Sequence, residues 1–382
     1  METTTYKISD IGEVVGGGTP STANSDFWGG DIPWISPKDL TGYKSVYISH
    51  GESFLTKTGL KSGTRLLPKG TVLFSSRAPI GYVAIASNPI CTNQGFKSII
   101  CNKEIINPLF LYYYIKGNLD YIKLFGTGAT FPEISGAAMR KIKVQIPTLP
   151  TQQKIASILS SYDRLIENNT RRIRLLEQMA ENLYKEWFVR FRFPEHENVE
   201  MVNGLPKGWK VKRYEEELNI RYGKGLSTEQ LKEEGYPVFG SNGQIGFYDS
   251  YMYEDPQILI SCRGASSGIV NISLPKSFIT SNSLICERTE KTESLYEYLK
   301  YYFLNNNLVQ YQTGSAQPQI TINNIVKLKL LVPELKVQRS FSEKIRVIDM
   351  EIYNLQSQIQ LLTRQRDLLL PRLMSGKLEV KS

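Results

Sequence analysis

The sequence predicts an α+β fold in which two mixed α/β domains are joined by a long antiparallel two-helix coiled coil, with a pseudo-two-fold internal repeat. Two observations predict it. Residues 73–190 recur, in altered form, at residues 259–376, with an offset of 186 positions. A heptad pattern of apolar residues closes each copy. Two units of this length are too few and too long for a stacked repeat array, so we expect duplication of a whole domain together with the helix that follows it.

Matching residues and their common offset define the domain order. Residues 73–77 fall on 259–263, Thr127-Gly128 falls on Thr313-Gly314, and Pro147 falls on Pro333. The predicted order is a first domain over 1–150, a central long helix over 151–193, a second domain over 194–333 that begins with a polar linker at 194–208, a distal long helix over 334–376, and a tail at 377–382.

Each predicted long helix carries a heptad seam, in which positions three and four residues apart alternate. Such a seam packs lengthwise against another long helix, and the other copy supplies that partner; the alternative is a helix pair packed into a larger bundle. Asn169 is a polar seam residue of the kind that fixes register. Pro371 is expected to bend or fray the last turns, and Gly376 to cap the second helix. The seam positions are Leu159, Tyr162, Ile166, Asn169, Ile173, Leu176, Ala180, Leu183 and Trp187 in the first helix, and Ile345, Ile348, Ile352, Leu355, Ile359, Leu362, Arg366, Leu369 and Leu373 in the second.

Before each long helix, short runs rich in branched and aromatic residues predict strands. A short helix follows in each domain, opened by Asn107-Pro108 in the first and by Ser294 in the second. The glycine-bearing loops 126–132 and 312–318 come next, and the sequence leaves open whether they seat a partner or only turn the chain. The predicted strands are 70–75, 80–86 and 96–101 in the first domain, and 258–262, 268–272 and 284–287 in the second.

Composition is typical of a soluble, well-packed protein, with 41% hydrophobic and 22% charged residues. Neither a leader nor a membrane segment is evident, so we expect a cytoplasmic protein without membrane association. The net charge of +9 favours an anionic partner. Counting Lys and Arg against Asp and Glu gives +5 for residues 1–150 but −1 for residues 191–333. If both domains bind nucleic acid, the second must therefore use a local basic patch.

The residue pattern argues against catalytic chemistry, a metal site or a cofactor in this chain. Four cysteines without Cys-x-x-Cys spacing and two histidines suggest neither disulfides nor zinc, and we expect the thiols to fill the core. No Gly-x-x-x-x-Gly-Lys-[Ser/Thr] loop is present to hold nucleotide phosphates. Gly16-Gly17-Gly18 is not followed by a predicted helix, and we interpret it as a flexible loop. The tyrosines at 112–114 and 301–302 are expected to pack in the core rather than stack on bases.

Three strings of the sequence resemble those of one family. A Pro-x-Leu-Pro-x-Gln-Gln-like segment at 147–153 introduces the first long helix, residues 204–209 read Gly-Leu-Pro-Lys-Gly-Trp, and residues 369–378 read Leu-Leu-Pro-Arg-Leu-Met-Ser-Gly-Lys-Leu. In order, spacing and duplication they resemble the specificity (S) subunit of Type I restriction-modification systems. The resemblance covers nearly the whole chain.

The resemblance implies a DNA-binding subunit that carries no catalytic residues. Each domain would be a target-recognition domain that reads one half of a split sequence in double-stranded DNA. The helical rod would set the spacer between the halves and seat two methyltransferase (M) subunits that modify adenine. S-adenosylmethionine is then the expected cofactor of that partner and not of this chain. Whether motor-nuclease (R) subunits also join stays open.

Candidate DNA-contacting residues follow from the chemistry of base edges, which favours Arg or Lys for guanine and Asn or Gln for adenine. Arg77 and Arg263 stand in the turn after matching strands. Because domains that read different half-sites share them, we expect both to contact the DNA backbone, while base readers should differ. The candidates are Lys38, Arg77, Asn93, Gln94 and Lys97 in the first domain, and Lys224, Asn242, Gln244, Arg263 and Asn282 in the second.

Two other functions stay open from the sequence. One is a methyltransferase with fused recognition domains, which would transfer methyl groups unaided; the chain lacks the Asn-Pro-Pro-aromatic string that such a site resembles. The other is a tandem adaptor for protein partners, in which the basic balance is incidental. Salt-sensitive DNA binding by the assembled complex would exclude the adaptor.

Overall fold

The computed structural model describes residues 2–128, 132–314 and 317–380, so the tips of the two glycine-bearing loops lie outside the described residues. The chain divides into two compact units. Unit 1 comprises residues 1–171 and 355–382, and unit 2 comprises residues 172–354. Each unit therefore contains one α/β domain and part of both long helices, and the division falls within the helices rather than at residues 150 and 333.

Unit 1 begins with its α/β domain. Its strands are β1 (Thr4–Lys7), β2 (Gly12–Gly16), β3 (Trp28–Ile35), β4 (Tyr47–Ile48), β5 (Ser53–Leu55), β6 (Val72–Phe74), β7 (Val83–Ala86), β8 (Cys91–Thr92), β9 (Lys97–Cys101) and β10 (Lys143–Ile146). Its short helices are α1 (Ile8–Ile11), α2 (Lys57–Lys61), α3 (Pro108–Gly117), α4 (Leu119–Lys123) and α5 (Gly136–Lys141).

The largest sheet of unit 1 has the strand order β2-β9-β6-β7-β4. A smaller sheet has the order β5-β3-β8, in which β3 and β8 are parallel, and β1 pairs antiparallel with β10. Apolar side chains of the large sheet and of α3 form the core, which Leu159 and Leu373 of the long helices complete. Tyr112 and Tyr113 of α3 are each 2% exposed, so the prediction that they pack in the core is confirmed.

The α/β domain of unit 2 follows the first long helix. Its strands are β11 (Met201–Val202), β12 (Leu205–Pro206), β13 (Lys210–Arg213), β14 (Leu218–Tyr222), β15 (Tyr236–Gly240), β16 (Gly243–Tyr248), β17 (Ile258–Ser261), β18 (Val270–Ile272), β19 (Phe278–Ile279), β20 (Ser283–Arg288) and β21 (Lys329–Val332). Its short helices are α7 (Tyr214–Glu217), α8 (Tyr296–Asn305) and α9 (Ile322–Ile325).

The sheets of unit 2 repeat those of unit 1, which confirms the predicted internal repeat of mixed α/β domains. The order β14-β20-β17-β18 matches β2-β9-β6-β7, the parallel pair β15–β19 matches β3–β8, and the antiparallel pair β13–β21 matches β1–β10. The repeat also extends upstream of the part visible in the sequence. Thr4 and Lys210 begin equivalent strands 206 positions apart, against an offset of 186 further along the chain, so the intervening loops of the first domain are longer by 20 residues.

The two long helices run antiparallel within each unit, as predicted. The first is α6 (Leu149–Tyr184), which continues as one π-helical turn over Lys185–Val189, and the second is α10 (Leu335–Met374). In unit 1, Asp163 pairs with Arg366 at 2.6 Å. In unit 2, Arg172 pairs with Glu351 at 2.6 Å. A second contact in each unit, Asn169 with Gln358 in unit 1 and Tyr184 with Phe341 in unit 2, lies further along α6 and earlier on α10. The two helices therefore run in opposite directions in both units.

The seam positions of both helices are buried or half-buried, whereas most residues between them are exposed. Asn169 is only 4% exposed, and its Nδ2 donates to Gln358 Oε1 at 3.1 Å. A buried amide with a polar partner across the helix pair penalises shifted alignments, because a shift would leave that amide unpaired.

The expectation that Pro371 frays the last turns is wrong, since α10 continues past it to Met374. Leu370 and Met374 pack against the core of unit 1 on either side of the proline. This packing outweighs the local preference of proline to end a helix. Gly376 follows with a left-handed φ of 72°, the conformation that commonly ends a helix.

Candidate nucleic-acid interface

Four of the five candidate residues of unit 1, all except Lys38, lie at one edge of the domain, where three segments of chain meet. Segment 75–77 follows β6, segment 93–97 leads into β9, and segment 133–134 follows the glycine-bearing loop. A backbone hydrogen bond of 2.7 Å joins segment 75–77 to segment 93–97, and one of 2.9 Å joins segment 133–134 to segment 75–77. We call these three segments the Arg77 edge.

Glu133 is the centre of an ion-pair cluster on the Arg77 edge. Arg77 Nε lies 2.9 Å from Glu133 Oε2, and Lys97 Nζ lies 3.4 Å from Glu133 Oε1. Desolvation raises the pKa of the Glu133 carboxyl, but Arg77 and Lys97 outweigh that effect and hold the pKa below its usual range. The carboxylate is therefore ionised at neutral pH.

The other candidates of unit 1 differ in how much of the side chain is available for a ligand. Asn93 Oδ1 accepts a hydrogen bond from the N–H two residues further on, at 2.8 Å, and so shapes its own turn. Gln94 is exposed and accepts a hydrogen bond from the Thr19 hydroxyl. Lys38 forms an exposed ion pair with Glu52 at 2.9 Å. Gln94 and Lys38 remain partly available, whereas Asn93 has a structural role.

Unit 2 repeats the backbone of this edge with different side chains. Segments 261–263, 280–284 and 319–320 meet there through backbone hydrogen bonds of 3.0 Å, and we call them the Arg263 edge. Arg263 is exposed at the position that Arg77 holds in unit 1. Across the described ranges, the Arg263 side chain makes no hydrogen bond and no ion pair.

The remaining candidates of unit 2 relate to this edge in different ways. Asn282 is exposed within segment 280–284, and the backbone oxygen of exposed Lys224 accepts a hydrogen bond of 2.9 Å from the same segment. Asn242 Oδ1 accepts a hydrogen bond from the Ser266 hydroxyl. Gln244 is exposed on β16. The edge thus presents Arg263 and Asn282 directly, with Lys224 beside them.

Sequence reasoning missed one position at each edge, residue 133 in the first domain and residue 319 in the second. Reciprocal backbone hydrogen bonds of 2.9–3.0 Å pair Thr127 with Glu133 and Thr313 with Gln319. Each also lies opposite the arginine of its own edge. The sequence held one signal for these positions. Both loops share Thr-Gly and a later Pro, and the residue directly after that Pro differs, Glu133 in one domain and Gln319 in the other.

The triple-glycine stretch near the Arg77 edge is not a flexible loop, so that expectation is wrong. Gly17 and Gly18 donate backbone hydrogen bonds of 3.3 Å and 2.8 Å to the chain at 92–96. A Cβ on Gly17 would lie 1.9 Å from Asn93 O, and one on Gly223 in unit 2 would lie 2.3 Å from a backbone oxygen. Glycine is needed in both domains because two backbones approach closely there.

A buried glutamine of the Pro-x-Leu-Pro-x-Gln-Gln-like segment links the start of α6 to α3. Gln152 is 1% exposed. Its Oε1 accepts from Asn107 N–H at 2.9 Å, and its Nε2 donates to Ile105 O and Pro147 O, both at 2.9 Å. One side chain thus satisfies three backbone groups where the short helix, the last strand and the long helix converge.

Gln338 has the equivalent role at the start of α10. Its Oε1 accepts from Leu295 N–H and its Nε2 donates to Pro333 O, each at 2.7 Å. A second link repeats as well, because the Tyr113 hydroxyl donates to Asp163 in unit 1 and the Tyr301 hydroxyl donates to the corresponding aspartate in unit 2. Each domain is therefore held to its long helices by the same two polar contacts.

The cysteines are free, and most of them are buried. Desolvation raises the pKa of the Cys91 thiol to about 11 and that of Cys101 to about 12. It also raises the pKa values of Cys262 and Cys286. Within the described part of the chain, no group of three or more His, Cys, Asp or Glu residues is arranged to hold a metal ion, and no helix is long and apolar enough to cross a membrane.

We expect the four thiols to resist alkylation in the folded protein at pH 8, because burial limits access and a raised pKa lowers the thiolate fraction. Iodoacetamide labelling followed by mass spectrometry measures this. All four should react once the chain is unfolded in guanidinium chloride. Rapid labelling of any one cysteine in the folded chain would contradict its assignment as core filler.

The sequence also matches a known protein family. The profile of the Type I restriction modification DNA specificity domain matches residues 1–178 and again residues 206–363. The chain is 36% identical to the Type I restriction enzyme MjaIX specificity subunit of Methanocaldococcus jannaschii, over 98% of this chain and 93% of that protein. It is 24% identical to the Type I restriction enzyme EcoprrI specificity subunit of Escherichia coli, over 87% of this chain and 84% of that protein.

A solved structure shares the fold. The crystal structure of the Type I restriction-modification system S subunit from M. genitalium superimposes with a TM-score of 0.65 at 18% sequence identity, and the alignment covers 98% of this chain and 96% of that one. The fold is therefore shared at a low level of sequence identity.

Proposed function

This chain belongs to the Type I restriction modification DNA specificity family, and we propose that it is the specificity subunit of a Type I restriction-modification system. Each α/β domain reads one half of a split sequence in double-stranded DNA, and the paired helices set the spacer between the halves. The observation that carries the proposal is one arginine-bearing edge, built twice on the same backbone with different side chains around it. A shared scaffold with unlike edges is what two different half-sites require.

We infer that the chain itself has no catalytic residue, since its relatives are named as specificity subunits. Adenine methylation then belongs to M subunits, and S-adenosylmethionine is their cofactor. In this proposal, this chain recognises DNA and the M subunits carry out the methylation. The exposed cations and amides at the Arg77 and Arg263 edges support that role, because they can bind DNA without reacting with it.

Exposed apolar residues on the long helices support seating of the M subunits. In unit 1, Leu361 and Leu368 of α10 are each 60% exposed and stand seven residues apart, outside the seam. In unit 2, Val347 and Met350 of α10 are 68% and 66% exposed. Large apolar side chains that recur on an exposed helix face provide area for an interaction surface. One set in each unit fits two M subunits.

Replacing Leu361 and Leu368 together with glutamate is expected to release one of two M subunits from the complex, because a charged residue cannot be desolvated without a partner. Native mass spectrometry of the co-expressed complex measures the ratio. Gln356→Glu, on the same helix and also exposed, should leave the ratio unchanged. Retention of two M subunits by the double variant would argue against this seat.

The proposed function is tested by co-expression with the M subunit encoded beside it, followed by mapping of methylated adenines across the host genome. A split motif with two short defined halves is expected. A continuous motif, or none, would count against the proposal. Methyl transfer by the purified chain alone would favour a fused methyltransferase, and complex binding to DNA that is insensitive to salt would favour an adaptor.

A further inference from the structure

We propose that Glu133 holds Arg77 in position to read a guanine in the first half of the DNA target, whereas Arg263 of unit 2 binds a phosphate. The inference rests on the proposed function and goes beyond it, because it gives different roles to two arginines at equivalent places. Each arginine lies opposite a residue 56 positions further along the chain, Glu133 for Arg77 and Gln319 for Arg263. The charge of that opposite residue distinguishes the two edges.

Phosphate binding and guanine reading make different demands on an arginine. Affinity for phosphate comes from uncompensated positive charge and the counterions it releases. Guanine recognition comes from two N–H donors aimed at O6 and N7 of the base. A guanidinium paired with a carboxylate loses much of its attraction for phosphate and keeps its donor geometry. The ion pair of Arg77 with Glu133 therefore favours the base over the backbone.

The contact between the two side chains leaves the outer end of Arg77 available. The shortest distance, 2.9 Å, joins Glu133 Oε2 to Nε, the inner nitrogen of the guanidinium. Neither Nη of Arg77 donates a hydrogen bond to any residue that the structure describes. These two nitrogens form the planar edge that can donate two parallel hydrogen bonds to guanine.

Glu133 is itself held in place, which makes it suitable as a positioning residue. Its backbone is fixed by the pairing with Thr127, and its second carboxylate oxygen contacts Lys97, whose side chain is only 14% exposed. A guanidinium fixed in this way loses less conformational freedom when it meets a base. Arg77 is thus oriented before DNA arrives.

Unit 2 has neither part of this arrangement. Gln319 is neutral, and its side chain makes no hydrogen bond within the described ranges. The strand position of Lys97 is taken by Leu284, which is fully buried. Within the described residues, no carboxylate compensates the charge of Arg263, whose side chain is exposed, as expected of a phosphate contact.

The test uses the co-expressed complex, two variants of unit 1 and genome-wide mapping of methylated adenines. Glu133→Gln gives unit 1 the residue that unit 2 carries, and Arg77→Ala removes the proposed reader. Both should relax the same guanine position in one half of the motif, raising methylation of sites with another base there about 10-fold relative to the original site. The other half should be unaltered. Both side chains are part-exposed, so thermal melting should match that of the wild type.

Arg263→Ala is the matched control, expected to lower methylation of all targets about equally and to reduce the salt slope of DNA binding by about 1. The inference is overturned if Arg77→Ala acts in this uniform way, or if Glu133→Gln leaves the motif unchanged while Arg77→Ala relaxes it. The absence of any split motif in the wild-type map would instead remove the proposed function. If one of the two unit 1 variants fails to assemble, the other still distinguishes the outcomes. Relaxed specificity at one guanine position supports the inference, and an equal loss of methylation at all targets contradicts it.

Discussion

Gln152→Leu is expected to lower the free energy of unfolding by about 3 kcal/mol, the largest stability effect among the polar contacts of unit 1. Leucine has a similar volume but satisfies none of the three backbone groups that the amide bonds. Asn107 N–H would be left unpaired next to a side chain that is 1% exposed in the wild type. Removing one partner of a buried hydrogen bond costs the desolvation of the group left behind. Here the cost applies to each of the three backbone groups that Gln152 bonds. Urea denaturation of the full chain, followed by circular dichroism, measures it.

Two further substitutions make this expectation specific. Gln338→Leu should cost about 2 kcal/mol, because that amide bonds two backbone groups rather than three. Gln153→Leu, at the neighbouring exposed position, should change stability by less than about 0.5 kcal/mol. Equal losses from Gln152→Leu and Gln153→Leu would mean that burial and bonding of the first glutamine contribute little.

The long helices could be predicted from the sequence because a heptad seam is a local property of one helix. Spacing alone identified positions such as Leu159 and Leu373, and both are buried in unit 1. Arg366 shows the limit of that reasoning. The sequence places Asp367 beside this cation on its own helix, but the second ion pair, with Asp163, depends on the antiparallel pairing.

The candidate interface was less predictable, since its main contact joins residues far apart in sequence. Arg77 and Glu133 are 56 positions apart, and no periodicity relates them. The conformation of the glycines at 16–18 could not be predicted for a similar reason. Whether Gly17 belongs to a mobile loop or to a close packing of backbones depends on the segment at 92–96, which folds against it.

The upstream half of the repeat could not be detected from the sequence, although its strands correspond in the two domains. β1 and β13 begin 206 positions apart, while the later strands keep offsets near 186. Loops of unequal length interrupt the alignment, and no residue of 4–16 is identical to its counterpart in 210–222. Paired strands tolerate such change because only the alternation of buried and exposed side chains must persist.

Insertion of one heptad into each long helix is expected to reduce methylation of the native target by about 100-fold or more, through loss of simultaneous binding of both half-sites. Suitable places are after Arg171 in α6 and after Asn354 in α10, where both helices pass from one unit to the other. Seven residues preserve the seam and lengthen each helix by about 10 Å. The proposed spacing role then predicts a motif with the same two halves and a spacer longer by about three base pairs of ~3.4 Å each.

The lengthened protein should modify its new sites more slowly than the native protein modifies its own, since three added base pairs rotate one half-site by about 100° relative to the other. An equal insertion in the exposed turn at Asn203-Gly204, outside the helices, serves as the control and should leave the spacer unchanged. Genome-wide methylation maps of the two insertion variants distinguish the possibilities. If the helix variant kept the native spacer, the linkers would be the source of the spacing and the helices would serve only to seat M subunits.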